Sequence, residues 1–201
     1  VGFGVKMFGQ WARAGQITST MAERFKAASE KALLREGHYL RGQMVSNITG
    51  QGAPAGAPFA PLSAATMKIR KFRGFGGSKI LMQTGALRGS ITVARMAGGV
   101  FVGILRKGGK GKGGGRANIA EIHEFGATFT LPSTEKQRRF LQAALADAGA
   151  PSPGKGGGTI KVTIPARPFI GPVVDKFATP TLVRNRFWEF VSKAMGGDLG
   201  R

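Results

Sequence analysis

The sequence predicts an α+β fold: a small antiparallel sheet packed on a long N-terminal helix and a C-terminal helix, with long Gly-rich basic loops. Three observations predict it. Apolar residues recur at helical spacing near both ends of the chain, from Met21 to Ile48 and from Val183 to Ala194. Between them, short stretches alternate apolar and polar residues as half-buried strands do, most clearly around Val100, Val102 and Ile104. Glycine and proline, 33 and 10 residues, gather in the connections and punctuate the periodic stretches.

At 201 residues the chain can bury a sizeable core. The expected organisation is an N-terminal arm over residues 1–19 and a single α+β domain over 20–201, with a helical insertion at about 132–158. The arm is Gly-punctuated and apolar (Phe3, Val5, Met7, Phe8, Trp11). It lacks an initiator Met and a secretory pattern, so it reads as a processed or trimmed end.

Thr20 and Glu23 form a capping box, which starts the long helix at Thr20. Met21, Phe25, Ala28, Ala32, Leu33, Leu40, Met44 and Ile48 give its inward stripe, and Asn47 to Gly52 its stop. A Gly/Pro/Ala loop over 50–61 follows, then a short helix capped by Ser63. Residues 68–79 interleave Lys68, Arg70, Lys71, Arg73 and Lys79 with Phe72 and Phe75 and read as a basic loop. Thr84-Gly85 is a turn, with Gly85 free to take positive φ between Leu81 and Leu87. It feeds strands at Ser90–Ala97 and Val100–Arg106, joined around Gly98-Gly99.

Residues 106–116 are too Gly-rich to fold alone and form a cationic loop. Asn118 to Phe125 is one or two helical turns closed by Gly126. Phe129–Leu131 is a strand, and Thr134 with Gln137 caps a helix running to about Ala148, with Phe140, Leu141, Ala144 and Leu145 inward. After a Gly/Pro/Lys loop at 149–158, strand Thr159–Ile164 returns, which makes the helix an insertion within a hairpin. Pro165 to Pro172 is a rigid turn. Thr179-Pro180 opens the last helix, which runs to Met195 with Val183, Phe187, Phe190, Val191 and Ala194 inward.

Charge narrows the partners. Thirty Lys and Arg against ten Asp and Glu give +20, with a pI near 11.6. Such a balance favours a polyanion, nucleic acid first and an acidic protein surface second. No run approaches the length a membrane span needs. The absence of cysteine excludes disulfides and thiolate chemistry and suits a reducing cytoplasm.

No pattern for catalysis, a cofactor or a metal stands out. Gly74-Phe75-Gly76 does not complete a dinucleotide fingerprint, and no Ser or Thr follows Lys112 as a phosphate loop requires. Glu121, His123 and Glu124 are not at the spacing of a metal face, and His123 is expected to be structural, hydrogen-bonded beneath the sheet. A hydrolase using His123 with Glu121 or Glu124 is the weakest of three functional readings.

Three separated stretches carry more. PLSAATMKIRK with ILMQTGALRGSI, then IAEIHEFG, then IPARPFIGP occur in this order between Pro61 and Pro172. Together they resemble the phage virion-morphogenesis family of tail-completion or neck proteins. In that family a Leu-x-x-Thr-Gly-x-Leu segment, an aliphatic-His-x-x-Gly segment and a Pro-Ala-Arg-Pro-Phe turn recur in the same sequence. The resemblance covers about residues 33–195. It assigns structural motif positions to Thr84, Gly85, Leu87, His123, Gly126, Pro165, Arg167, Pro168 and Phe169. Asn118-Ile119-Ala120 departs from the aromatic position that often precedes the His segment, and the insertions at 106–116 and 129–164 exceed a minimal member.

The resemblance implies a homo-oligomeric ring, a hexamer by analogy, in the neck of a virion and made in the host cytoplasm. Its expected partners are copies of itself, the head connector or head-completion protein, the tail terminator or tube protein, and double-stranded DNA bound without sequence readout. Flexible cationic loops suit that last role. Arg70, Lys71, Arg73, Lys107, Lys110, Lys112 and Arg116 are the candidates, and acidic protein neighbours are the alternative they could face. A monomeric nucleic-acid-binding module of ribosomal or chromatin type is the second functional reading.

Overall fold

The computed structural model describes residues 9–105, 115–145 and 158–196. The chain has the expected α+β character: helices at both ends and two antiparallel hairpins between them. It divides into two compact units, Gly37–Thr179 and the residues before it together with those from Pro180 onward.

Helix α1 runs over Trp11–Thr49 and belongs to both units. Its start corrects the expectation of a cap at Thr20. The Thr20 hydroxyl instead donates to the Gln16 carbonyl at 2.8 Å, four residues back within the helix. A Thr side chain can bond either a free N–H at a helix start or a preceding carbonyl in a helix interior, so the capping pattern does not fix the boundary.

In the unit formed by the chain ends, α7 (Pro180–Gly196) packs on the first part of α1. Ala28, Ala32 and Val191 are buried there, flanked by Phe187, Phe190 and Met195. The Arg186 guanidinium grips the Glu36 carboxylate in a two-pronged contact, with Nε to Oε2 at 2.8 Å. The Arg35 guanidinium lies 5.0 Å over the Phe190 ring. The buried stripe is narrower than the periodicity predicts: Met21 and Phe25 are 48% and 42% exposed, and Ala194 is exposed as well. Only small side chains let α7 approach α1, so the seam runs through Ala28 and Ala32.

In the unit Gly37–Thr179, β1 (Ile91–Met96) and β2 (Gly99–Ile104) pair antiparallel, Ile91 opposite Ile104. This hairpin lies against α1 at Gly37, where an added Cβ would come within 2.8 Å of methyl groups of both Val93 and Val100. Arg41 fastens the same contact by donating from Nε to the Ile91 carbonyl at 2.7 Å. The second hairpin pairs β3 (Ala127–Pro132) with β4 (Thr159–Ile164), Ala127 opposite Ile164. Helix α5 (Glu135–Leu145) lies between these strands in sequence, as the insertion predicts. Its capping box is reciprocal: Gln137 N donates to Thr134 Oγ1 and Thr134 N to Gln137 Oε1. Of its expected inward residues Ala144 is buried, while Phe140 and Leu141 are half-buried.

Helix α2 spans Ala64–Phe72, with Ser63 as its N-cap accepting from Thr66 N. The expected basic loop therefore begins later than the sequence reading placed it, since Lys68, Arg70 and Lys71 are helical. Phe72 meets Phe140 of α5 edge to face at 5.5 Å. The remaining helices are α3 (Ala86–Gly89), α4 (Arg116–Phe125) and α6 (Gly171–Phe177). The last of these begins at the end of the expected rigid turn and continues through residues for which the sequence reading expects no element. Pro172 sits in its first turn, where a missing N–H leaves no bond unmade. Met44, Ile48, Phe59, Leu87, Ile91, Phe169 and Val173 form the core on which these pieces meet.

Candidate functional site

The three sequence motifs converge within the unit Gly37–Thr179. Gly85 takes φ 71°, as its turn predicts, and starts α3, which buries Leu87. Thr84 supports that turn by accepting from Ala86 N at 3.3 Å. A short helix, and not the strand itself, follows the motif, and β1 begins at Ile91.

The second and third motifs are locked to each other. Arg167 N donates to the His123 carbonyl at 2.6 Å. One residue on, the Glu124 carboxylate accepts three successive backbone amides: Phe169 and Ile170 at Oε2, 2.9 and 3.1 Å, and Gly171 at Oε1, 2.7 Å. An ionised acceptor makes such bonds short and strong. Gly126 then turns the chain at φ 74° and ψ 163°, a conformation essentially restricted to glycine. A Cβ there would stand 2.9 Å from Ala166 N and 3.1 Å from the Ile164 carbonyl oxygen.

Arg167 is the most buried cation of this assembly, at 5% exposure. Its fork ends on carbonyls, Nε to Ala60 at 2.7 Å and Nη2 to Pro61 at 3.1 Å, which ties the loop before α2 to the third motif. Pro165 and Pro168 are exposed on either side of it and hold the path. Phe169 is fully buried, and its carbonyl accepts from Asn47 Nδ2 at 3.3 Å. Gln51 acts as a strand would: it accepts from Ile80 N at 2.7 Å and donates back to the Ile80 carbonyl at 3.1 Å.

Beside this lock lies a cavity of about 300 Å³ whose walls include Arg70, Thr84, Leu87, Ile119, His123 and Arg167. Burial, then the Arg167 and Arg70 charges, hold His123 below its usual value, which favours the neutral ring. The same burial, and again Arg70, lower Arg167. The expectation that His123 is hydrogen-bonded beneath the sheet is corrected in part. Its backbone carbonyl is bonded, but Nδ1 is buried with no partner among the described residues. The Glu124 oxygens are taken by amides, so this carboxylate does not orient the ring. Among the described residues no group of three or more His, Asp or Glu is placed to hold a metal.

Of the basic candidates, Arg70, Lys71 and Arg73 have described side chains. Arg70 donates from Nη1 to the Lys79 carbonyl at 2.9 Å and lines the cavity. Lys71 and Arg73 are exposed, and the Arg73 guanidinium lies 5.0 Å over the Phe140 ring. Arg116 opens α4, while Lys107, Lys110 and Lys112 lie outside the described residues.

Sequence reasoning missed Asn47, Gln51 and the role of Glu124. The sequence pattern makes Asn47 a helix stop, although it stands three residues from Met44 at core spacing, which is the available signal. Nothing local marks Glu124, because its partners are 45 to 47 residues away.

Fold and lock together define an α+β protein whose central polar groups hold backbone segments in register. Its sequence matches the profile of the phage virion morphogenesis family over residues 11–176. The chain belongs to that family. No curated protein and no solved structure matches it.

Proposed function

We propose that this chain is a structural, non-enzymatic virion protein that forms a homo-oligomeric ring in the neck of a tailed phage. The ring completes the tail and joins it to the head connector. The observation that carries this reading is the use made of polar groups in the family-matched region. Glu124, Arg167, Asn47 and Gln51 are spent on backbone atoms of distant segments, which makes a rigid subunit. Exposed Lys71 and Arg73 remain at the surface, next in space to α5. On a chain of net charge +20, these and the 106–116 cations suit a duplex passing through the ring, bound through phosphate and without base readout. The head connector and the tail terminator or tube protein are the proposed neighbours on the two faces.

Electron microscopy of the purified protein and of virions tests the reading. Closed rings, and density for the chain between head and tail, are the expected result. A stable monomer absent from particles would overturn it. If that monomer bound duplex DNA tightly with a steep salt dependence, the nucleic-acid-binding module would replace the ring.

A further inference from the structure

The cavity beside the lock has a charge pattern that the subunit itself leaves unanswered. Arg70 and Arg167 both line it, as does His123, and none of its lining residues carries a carboxylate. The two guanidiniums donate to neutral carbonyls, Arg70 to that of Lys79 and Arg167 to those of Ala60 and Pro61. His123 Nδ1 is buried with no partner among the described residues. Buried polar nitrogens in native proteins almost always find a hydrogen-bond partner, so this one marks a place where a partner is missing. Apart from Gln83 and Thr84, the rest of the wall is aliphatic, with Leu62, Ile80, Leu81 and Ile119, the last 47% exposed at the rim.

We propose that this cavity receives a carboxylate-bearing side chain, flanked by apolar residues, from an acidic segment of a different protein. The volume of about 300 Å³ admits one or two side chains and not a duplex. An aliphatic stem suits the leucine and isoleucine wall, whereas a sugar–phosphate chain would leave polar atoms against it. The carboxylate meets the Arg70 and Arg167 charges, and it supplies His123 with an acceptor once the ring carries a proton at Nδ1, a charge-assisted arrangement. Ten acids against thirty Lys and Arg make a second copy of this chain a poor donor, so the segment belongs to another protein. The inference does not depend on ring assembly, because every wall residue comes from one subunit.

The charged groups facing His123 are Arg167 and Arg70. On its own helix, Glu124 is bound to the amides of residues 169–171 and Glu121 is exposed. A bound carboxylate would offset the two arginines, so occupancy and protonation of His123 are linked. Each unit by which the midpoint rises corresponds to about tenfold tighter binding to the protonated form.

The test is a nuclear magnetic resonance titration of the full chain with labelled histidine rings, His38 serving as the exposed control and H123Q assigning the signals. The probes are acetyl-Leu-Glu-Leu-amide, its glutamine counterpart, and inorganic phosphate. The expected result is a movement of the His123 signal and an upward shift of its midpoint with the glutamyl peptide alone. Arg70→Met should weaken that response about tenfold or more, and Arg70→Lys should retain part of it. Equal responses to the two peptides, or none to either, would overturn the proposal. So would a phosphate response matching the glutamyl one, which would make the cavity a phosphate site, or a wild-type response in Arg70→Met. Should Arg70→Met not fold, the wild-type titrations decide alone.

Discussion

The Glu124 carboxylate accepts the Phe169 amide at 2.9 Å, and through its two oxygens it also holds the amides of Ile170 and Gly171. One side chain at the end of α4 thus fixes the entry to α6. Glu124→Ala should leave three amides without their acceptor and cost about 3 kcal/mol of stability. Glu124→Gln, which keeps one oxygen, should cost roughly half as much. Chemical denaturation measures both, and equal small losses would show that the amides find other acceptors.

Two glycines make a graded pair. Gly85 has φ 71° with open space around it, while Gly126 has φ 74° and backbone atoms within 3.1 Å of where a Cβ would stand. Gly85→Ala should cost about 1 kcal/mol, for the left-handed backbone alone. Gly126→Ala should cost about 3 kcal/mol or more, since its ψ is glycine-specific and the contact is to backbone. Reversed ranking in thermal melts would contradict this assignment.

The Arg186 and Glu36 pair carries the unit formed by the chain ends, with Glu36 only 9% exposed. Removing either partner leaves a desolvated charge behind. Glu36→Ala should therefore destabilise by about 3 kcal/mol, and the double replacement by Met at both positions should recover much of it. A double-mutant cycle in denaturant provides the coupling.

His123 sets a pH dependence of known sign. Its folded-state value lies below the usual 6.5, by burial first and the Arg167 and Arg70 charges next. Below 6.5 the unfolded chain therefore binds more protons than the folded one, and stability rises with pH there. The contribution is complete above 6.5 and is lost as pH falls from 6.5 through the folded-state value. The difference in stability between wild type and His123→Gln, followed across that window, should narrow as pH drops. A difference that stays flat would remove His123 from the account.

Surface cations should separate from core ones in DNA binding. Lys71→Ala should reduce the slope of log affinity against log salt by about 1 if the residue meets phosphate, with melting unchanged within about 0.5 kcal/mol. Phe140→Ala should instead release the Phe72 and Arg73 contacts and loosen α5 without altering the slope. Filter binding at several salt concentrations distinguishes them.

Much of the fold was legible because it rests on short-range physics. Ser63 and Thr134 announced their helices through bonds that close within three residues. The hairpin of β1 and β2 followed from alternation and Gly98, and strand β4 was delimited from Thr159 to Ile164. Where local signals have two uses, reading failed: Thr20 can cap or back-bond, and Asn47 can stop a helix or be buried in one. Helix α6 was hidden by Pro172, which suits a turn and a first helical turn equally.

The sequence by itself determined the α+β class, the family, the net charge of +20 and the order of the three motifs. Only the tertiary structure decided what those motifs do. Glu124 meets Phe169 and Arg167 meets Ala60 across 45 and 107 residues, and no local pattern encodes a contact between segments that far apart. Nor could spacing reveal that His123, Arg70 and Arg167 share one cavity. That depends on how α2 and α4 come to face each other once Leu87, Ile91 and Phe169 have been buried, and burial of apolar surface carries no direction until the core is packed.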